Sequence, residues 1–215
     1  DAQLSRGLGD VYKRQHQAPD PHAPRVLLLH PHPLHGGTMN NNVVYHMYKI
    51  FIKAGFTALR INFRGVGRSQ GTFDNGIGEL QDASISLDWL QERNNESSHC
   101  WIAGFSFGAW IALLLGQRRP DIEYFVSVGA PSTYDFSFLN PCPIPGLFAQ
   151  GSEDSISPLD KFMKLIDFTS SQRGSKIDHS IITGADHFFS DKEHMKQLNE
   201  DLSLIHISEP TRQLC

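Results

Sequence analysis

Gly104-Phe105-Ser106-Phe107-Gly108 reads G-x-S-x-G, and its flanks decide how it is taken. Before it runs Cys100-Trp101-Ile102-Ala103, short and apolar as a buried strand is. After it runs Ala109-Trp110-Ile111-Ala112-Leu113-Leu114-Leu115, an apolar helix former that closes near Gly116. Strand, sharp turn, helix is the setting in which this motif forms a nucleophile elbow, with the Ser hydroxyl held above the sheet edge in a strained conformation. Glycines flank the serine where backbone packs too closely for a side chain. The start of the following helix also favours negative charge beside the hydroxyl. The competing reading is a Gly-rich strand-to-helix turn in which Ser106 only caps the helix.

Outward from the elbow, strands and helices alternate. Arg25-Val26-Leu27-Leu28-Leu29 is a continuous apolar run, the mark of a strand buried on both faces. Residues 41–54 place Val44, Met47 and Phe51 on one helical face, and Gly55 stops the helix. Further strands are expected over 56–63, 123–128, 146–150 and 176–183. A helix over 77–93 turns Leu80, Ala83, Leu87 and Leu90 inward. Ser157-Pro158 is expected to open another helix as cap and first residue. Ser190 and Glu193 have the spacing of a capping box for the last one. This pattern predicts an α/β domain with a mostly parallel sheet of about six strands and helices on both faces.

Parallel sheets of this kind carry their chemistry beyond the carboxyl ends of the strands. The segment after the fifth strand is Gly151-Ser152-Glu153-Asp154-Ser155-Ile156-Ser157-Pro158, and after the sixth Gly184-Ala185-Asp186-His187-Phe188-Phe189. A Ser hydroxyl is a weak nucleophile until a neutral imidazole takes its proton, and the imidazole needs a carboxylate to fix its tautomer. Ser106, Asp154 and His187 are therefore the candidate catalytic residues, in the order Ser, acid, His. Glu153 and Asp186 are the substitute acids.

Acyl transfer also needs two N–H donors for the developing oxyanion. Phe107, directly after the serine, supplies one candidate amide. The other is expected in His30-Pro31-His32-Pro33-Leu34-His35-Gly36-Gly37. Pro31 and Pro33 have no N–H, so His32 is the choice, with Leu34 next in line. The same stretch supports a rival. His30, His32 and His35 match the spacing of the H-x-H-x-D-H metal motif of binuclear zinc hydrolases, except that Leu34 stands where that motif has Asp. Two prolines also limit how the imidazoles converge, and the reading takes no metal and no cofactor.

The chain has 215 residues, 19 Lys and Arg against 23 Asp and Glu, and a net charge of −4. Its two ends read unlike the rest. Gln15 written as CAG has the reverse complement CTG, which is Leu202, and the pairing runs outward unbroken from there to Ala2 and Cys215. Residues 2–15 and 202–215 can thus be encoded by one inverted repeat, and they resemble translations of a transposase adapter used in sequencing libraries. The expected domain is therefore 16–201, with 1–15 and 202–215 as non-native tails and the natural N-terminus missing, which leaves a signal peptide open. Setting the ends aside removes Arg6, Lys13, Arg14 and Arg212 against Asp1, Asp10 and Glu209, so the remainder is one unit more acidic. No basic run offers a nucleic-acid footprint. Cys100 and Cys142 are too few for a disulfide framework, which points to a reducing, cytoplasmic setting. The longest apolar runs are about half a membrane span, so no membrane partner is expected.

The elbow, the His30-Pro31-His32-Pro33 loop, Asn62-Phe63-Arg64-Gly65-Val66-Gly67-Arg68-Ser69, the 151–158 segment and the 184–187 segment together resemble the α/β-hydrolase superfamily. The likeness is nearest to its small, capless, dienelactone-hydrolase-like branch and covers residues 25–201. It implies Ser106, Asp154 and His187 as a triad and the His32 and Phe107 amides as an oxyanion hole. It implies hydrolysis of carboxylic esters or close relatives by a serine hydrolase. Two departures stand out. The family usually has His-Gly where this chain has His30-Pro31, and the family sheet has two strands before Arg25 that are expected to be lacking here.

Substrate is less legible. Ala130-Pro131-Ser132-Thr133-Tyr134-Asp135-Phe136-Ser137-Phe138-Leu139 is far too short for a cap domain. Tyr134, Phe136, Phe138 and Leu139 either line an acyl pocket or plug the sheet end as core. Asn40 to Asn42 either line the mouth or cap the helix, and the cap is favoured. The expected partner is a small-molecule acyl or ester substrate, with the oligomeric state open. The alternative from another class is a non-catalytic binding protein on the same fold.

Overall fold

The computed structural model describes residues 2–3, 11–142 and 144–212. Residues 1, 4–10 and 213–215 lie outside it, so the expected tails fall only partly within the described chain. The strands are β1 (Ala2–Gln3), β2 (Tyr12–His16), β3 (Arg25–Leu29), β4 (Thr57–Ile61), β5 (Cys100–Phe105), β6 (Tyr124–Val128), β7 (Gly146–Gly151) and β8 (Ile177–Ile182). The helices are α1 (Asn42–Lys53), α2 (Ile77–Arg93), α3 (Phe107–Gly116), α4 (Leu159–Ser170) and α5 (Lys192–Arg212). The strands form one sheet in the order β1-β2-β4-β3-β5-β6-β7-β8. All pairs from β4 to β8 are parallel, and β2 runs antiparallel to β4.

The α/β fold and the helices on both faces match the sequence reading, but the expected lack of leading strands does not hold. Tyr12–His16 pairs along β4, with Lys13 opposite Ile61 and His16 opposite Ala58. The segment is almost wholly polar, so no apolar alternation announces it. Its inward residue is Lys13, which is 1% exposed and lays its stem inward with Nζ 4.2 Å from the Trp89 ring centroid. A long Lys stem covers apolar surface in place of a branched apolar residue. Val11, just ahead, joins the core. At the other end, Leu202 is also buried.

Alternation along each central strand sends residues to opposite faces. Leu27, Leu29, Leu59 and Ile61 face a core closed by α2, α3 and α4. Val26, Leu28, Ala58 and Ala103 face a second core closed by α1 and α5. With both faces covered, the carboxyl edge of the sheet is where loops are left to carry chemistry.

Two helix starts differ from the sequence expectation. Ser157 does not cap α4. Its hydroxyl bonds the Ala130 carbonyl, and its oxygen accepts from the Ser132 amide. The expected Ser190–Glu193 capping box is likewise replaced: Asp191 Oδ1 accepts from the Glu193 amide, while Ser190 bonds Asp186. In both places a loop contact near the sheet edge competes for the hydroxyl. Asn41 does cap α1, accepting from the Val43 and Val44 amides.

Candidate active site

Ser106 sits between β5 and α3 with φ 55° and ψ −122°, a backbone conformation that L-residues rarely adopt. Its side chain makes no capping bond to α3, so the cap reading does not describe it. The turn is held by its amide, which donates to the Val128 carbonyl at 2.9 Å, and by glycines on either side. A Cβ on Gly104 would stand 2.3 Å from the Gly108 oxygen, and one on Gly108 would stand 2.4 Å from the Leu29 oxygen. The motif glycines therefore let the elbow close on itself and onto the end of β3.

The loops after β7 and β8 meet above this turn. Gly151 makes the meeting possible, since a Cβ there would lie 2.3 Å from the Ala185 oxygen. His187 is 4% exposed, tilted on the Phe105 ring and edge-on to Phe188. Its Nε2 lies 3.0 Å from Ser106 Oγ, and its Nδ1 lies 2.6 Å from Asp154 Oδ2. The carboxylate can only accept from Nδ1–H, which leaves Nε2 as the lone pair facing the serine hydroxyl. Asp154 is buried and accepts three further bonds, from the Ile156 and Ser157 amides on Oδ1 and from Gln150 Nε2 on Oδ2. The substitute acids are elsewhere. Glu153 is exposed, and Asp186 accepts from the amide and hydroxyl of Ser190.

The first amides of a helix have no intrahelical acceptor, and Phe107 opens α3. Across from it, the Leu34 amide donates to His32 Nδ1 at 3.2 Å, which engages the donor next in line after His32. The His32 ring lies 5.0 Å from the Phe107 ring and stacks on His35 at 4.3 Å. Burial lowers the His32 pKa below the usual imidazole value, His35 adds to the lowering, and Glu79 opposes it.

The three loop histidines do not act as one group. His30 is fully buried, with Nδ1 2.6 Å from the Pro31 carbonyl and Nε2 accepting from the Phe63 amide at 3.0 Å. Both of its ring nitrogens are thus committed to backbone. Burial pushes its pKa down to about 4, against a smaller rise from the Pro31 carbonyl, so the ring is neutral. Among the described residues no group of His, Cys, Asp and Glu side chains has the arrangement to hold a metal ion. No helix among the described residues is long and apolar enough to cross a membrane.

Of the four aromatic and apolar residues after β6, Phe136 and Leu139 belong to the core and Phe138 packs against it. Tyr134 is 39% exposed and meets Trp110 edge-on at 5.3 Å. Trp110 in turn lies 5.8 Å from Phe107, which links Tyr134 to the elbow through ring contacts. The sequence reading passed over Gln150 and Ser157. Gln150 was visible as the one polar side chain ending the apolar run Gly146-Leu147-Phe148-Ala149, whereas Ser157 was masked by its resemblance to a helix cap.

An elbow serine hydrogen-bonded to a histidine, on an open, mostly parallel sheet with no cap domain among the described residues, defines a lidless α/β serine hydrolase fold. The X-Pro dipeptidyl-peptidase (S15) family model matches residues 9–150, and the chain belongs to that family. An uncharacterised protein of Rickettsia prowazekii, RP471, is 52% identical over 204 residues, covering 92% of this chain and 86% of that protein. Among solved structures, ATU1826 of Agrobacterium tumefaciens, a protein of unknown function and α/β-hydrolase candidate, is 44% identical with a TM-score of 0.91, covering 97% of each chain. XC6422 of Xanthomonas campestris, an α/β serine hydrolase without a lid, is 26% identical with a TM-score of 0.81, covering 94% of this chain and 90% of that one.

Proposed function

We propose that the protein hydrolyses carboxylic esters or related small acyl compounds through an acyl-enzyme on Ser106. The observation that carries this is the hydrogen-bonded chain Ser106–His187–Asp154, with distances of 3.0 and 2.6 Å. Ser106 Oγ attacks the acyl carbonyl carbon while His187 Nε2 takes the hydroxyl proton. Asp154 holds the imidazole in the required tautomer and stabilises the cation that forms. The carbonyl oxygen becomes an oxyanion between the Phe107 and His32 amides. His187 then gives its proton to the leaving alcohol, the carbonyl re-forms and the acyl-enzyme results. Water attacks next, giving a proton to His187, and Ser106 leaves with that proton as the acid is released.

Of Tyr134, Phe136, Phe138 and Leu139, Tyr134 is the side chain taken to touch substrate, because it is exposed and its ring meets Trp110. A chelator leaves turnover unchanged on this reading, since His30 has no nitrogen left for a metal.

The test is labelling with a fluorophosphonate probe followed by peptide mapping. An adduct on Ser106 that is lost in His187→Ala is the expected result. A folded wild-type chain that takes no label, or labels equally without His187, would point to a non-catalytic binding protein. Turnover of p-nitrophenyl acetate abolished by chelator and restored by zinc would return the histidine cluster to the mechanism.

A further inference from the structure

Gln150 is the penultimate residue of β7 and its side chain is fully buried. A primary amide at the end of an apolar strand must find hydrogen-bond partners to offset its desolvation. Its nitrogen has two, Asp154 Oδ2 at 2.8 Å and the Ser157 carbonyl at 2.8 Å. Its Oε1 is buried with no hydrogen-bond partner among the described residues. The orientation is dictated by those neighbours. A flipped amide would put Oε1 against a carboxylate and a carbonyl, acceptors facing an acceptor with no proton between them. A Met or Leu here would leave no orphaned oxygen. The buried amide is therefore unfavourable for packing alone and is explained by what its N–H groups reach.

We infer that Gln150 is a positioning residue for Asp154, setting the orientation and the basicity of the carboxylate that supports His187. This rests on the serine-hydrolase reading above. Oδ2 receives both the Gln150 amide and His187 Nδ1, while Oδ1 receives the Ile156 and Ser157 amides. The first effect is geometric: the second bond, to the Ser157 carbonyl, ties the turn over 154–157 to the strand, so Oδ2 stays in line with His187. The second effect is electronic. A second donor on Oδ2 draws charge from the oxygen that faces the imidazole, which weakens its hold on the imidazolium. The neighbouring charged groups do not substitute. Glu153 is exposed and Asp186 is bonded to Ser190. His187 is the one titratable group bonded to this carboxylate among the described residues.

Two variants test this on the full chain with p-nitrophenyl acetate. Gln150→Met keeps length and volume and removes the donor. Its kcat is expected to fall by about 10- to 100-fold, the loss typical of misplacing a reacting group by about an ångström, with KM within about twofold. The acid limb of its kcat/KM profile moves to higher pH, because Asp154 relieved of one donor binds the imidazolium more tightly. Its Tm falls modestly, since Asp154 Oδ2 and the Ser157 carbonyl each lose a donor while the orphaned oxygen is gone. Gln150→Glu is close in shape, and its protonated carboxyl still donates to Asp154. As pH rises the two carboxyls lose their shared proton and repel, so this variant gains an alkaline limb that wild type lacks.

A folded Gln150→Met protein with wild-type kcat and an unmoved acid limb overturns the inference, whether or not its Tm changes. Where the Met variant does not fold, a folded Gln150→Glu protein without an alkaline limb overturns it instead. Wild-type chain that is never labelled at Ser106 removes the catalytic reading and this inference together. Labelling of wild type with indifference to Gln150 removes only this one.

Discussion

The elbow and the leading edge of the sheet are both built from five or six strand residues, yet they are made in opposite ways. At the elbow, β5 is buried throughout and flanked by β3 and β6, and its glycines let backbone touch backbone. Toward the leading edge, β2 is polar and only partly buried, and it is held by pairing along β4, by the two-residue β1 on its outer side and by one Lys stem over Trp89. A site needs the first kind of construction, because a strained serine stays in place only where its surroundings leave no alternative. A strand next to the edge, such as β2, needs only backbone partners and one covered face. The two regions therefore separate cleanly by experiment: the elbow should control activity without stability, and the leading edge stability without chemistry.

The largest expected effect is at the elbow. Ser106→Ala should lower turnover by about 10⁶-fold and His187→Ala comparably, while Asp154→Asn should cost less, on the order of 10⁴-fold. Ser106→Ala should leave the melting temperature within a few degrees and none should unfold the domain, with Asp154→Asn melting lowest because its amide turns a donor toward buried N–H groups. Steady-state kinetics on p-nitrophenyl acetate beside thermal melts checks both halves. A Ser106→Ala protein that keeps a tenth of its activity would sink the catalytic reading, and one that unfolds would break the contrast.

How much of this was legible follows from the same contrast. The elbow was readable because its constraints are steric and fall on residue types: Gly104 and Gly108 must be glycine, and the flanks must be apolar. Asp154 and His187 were readable because loop position after β7 and β8 is set by strand order. Strand β2 was not readable, since a strand held mainly by backbone pairing leaves few marks on residue type and Lys13 reads as solvent-facing. The inverted coding relation between the two ends also argued against it. That relation bears on where residues 2–15 came from, and the pairing of Tyr12–His16 with β4 follows from backbone geometry. Gln150 was missed because its partners come from a turn four to seven residues on, which period-based reading does not inspect.

The next effect is at the leading edge. A chain trimmed of residues 1–16 loses the β2–β4 pairing, the burial of Val11 and Lys13, and the bond from the Tyr12 amide to Ser69 Oγ. With each hydrogen bond contributing about 1 kcal/mol and the ordering entropy of the strand opposing them, a net loss of about 3 kcal/mol is expected. For a chain of this size that lowers Tm by on the order of 10 °C. It also bares β4 and should promote association, visible by size-exclusion chromatography. Fluorophosphonate labelling of the folded fraction should persist. Trimming that leaves Tm within about 2 °C would show that this segment stands outside the cooperative unit, as the coding relation, which covers 2–15, alone would have it.

The smallest effect is read at His30, which joins the two regions. Its imidazole accepts from the Phe63 amide just past β4, and its backbone oxygen lies 2.6 Å from where a Cβ on Gly108 would stand. Burial holds the folded pKa at about 4, whereas the unfolded chain has the ordinary value near 6.5. Above pH 6.5 the ring is neutral in both states and its contribution to stability is complete. As pH falls below that value the unfolded chain takes the proton first, so the unfolded state gains and the protein loses stability. The loss continues until about pH 4, where the folded ring also protonates. A difference of this size corresponds to about 3 kcal/mol. His30→Gln removes the titration, so its urea-unfolding free energy should fall less than that of wild type between pH 7 and pH 4, by about that amount. The other histidines are common to both proteins and cancel in the difference. Equal acid sensitivity in the two would mean that His30 is not the buried neutral link between the edge and the elbow. A larger loss in the variant at pH 7 than at pH 4 is the outcome expected when the bond to Phe63 is broken as well, since wild type then approaches the variant as its own ring becomes charged.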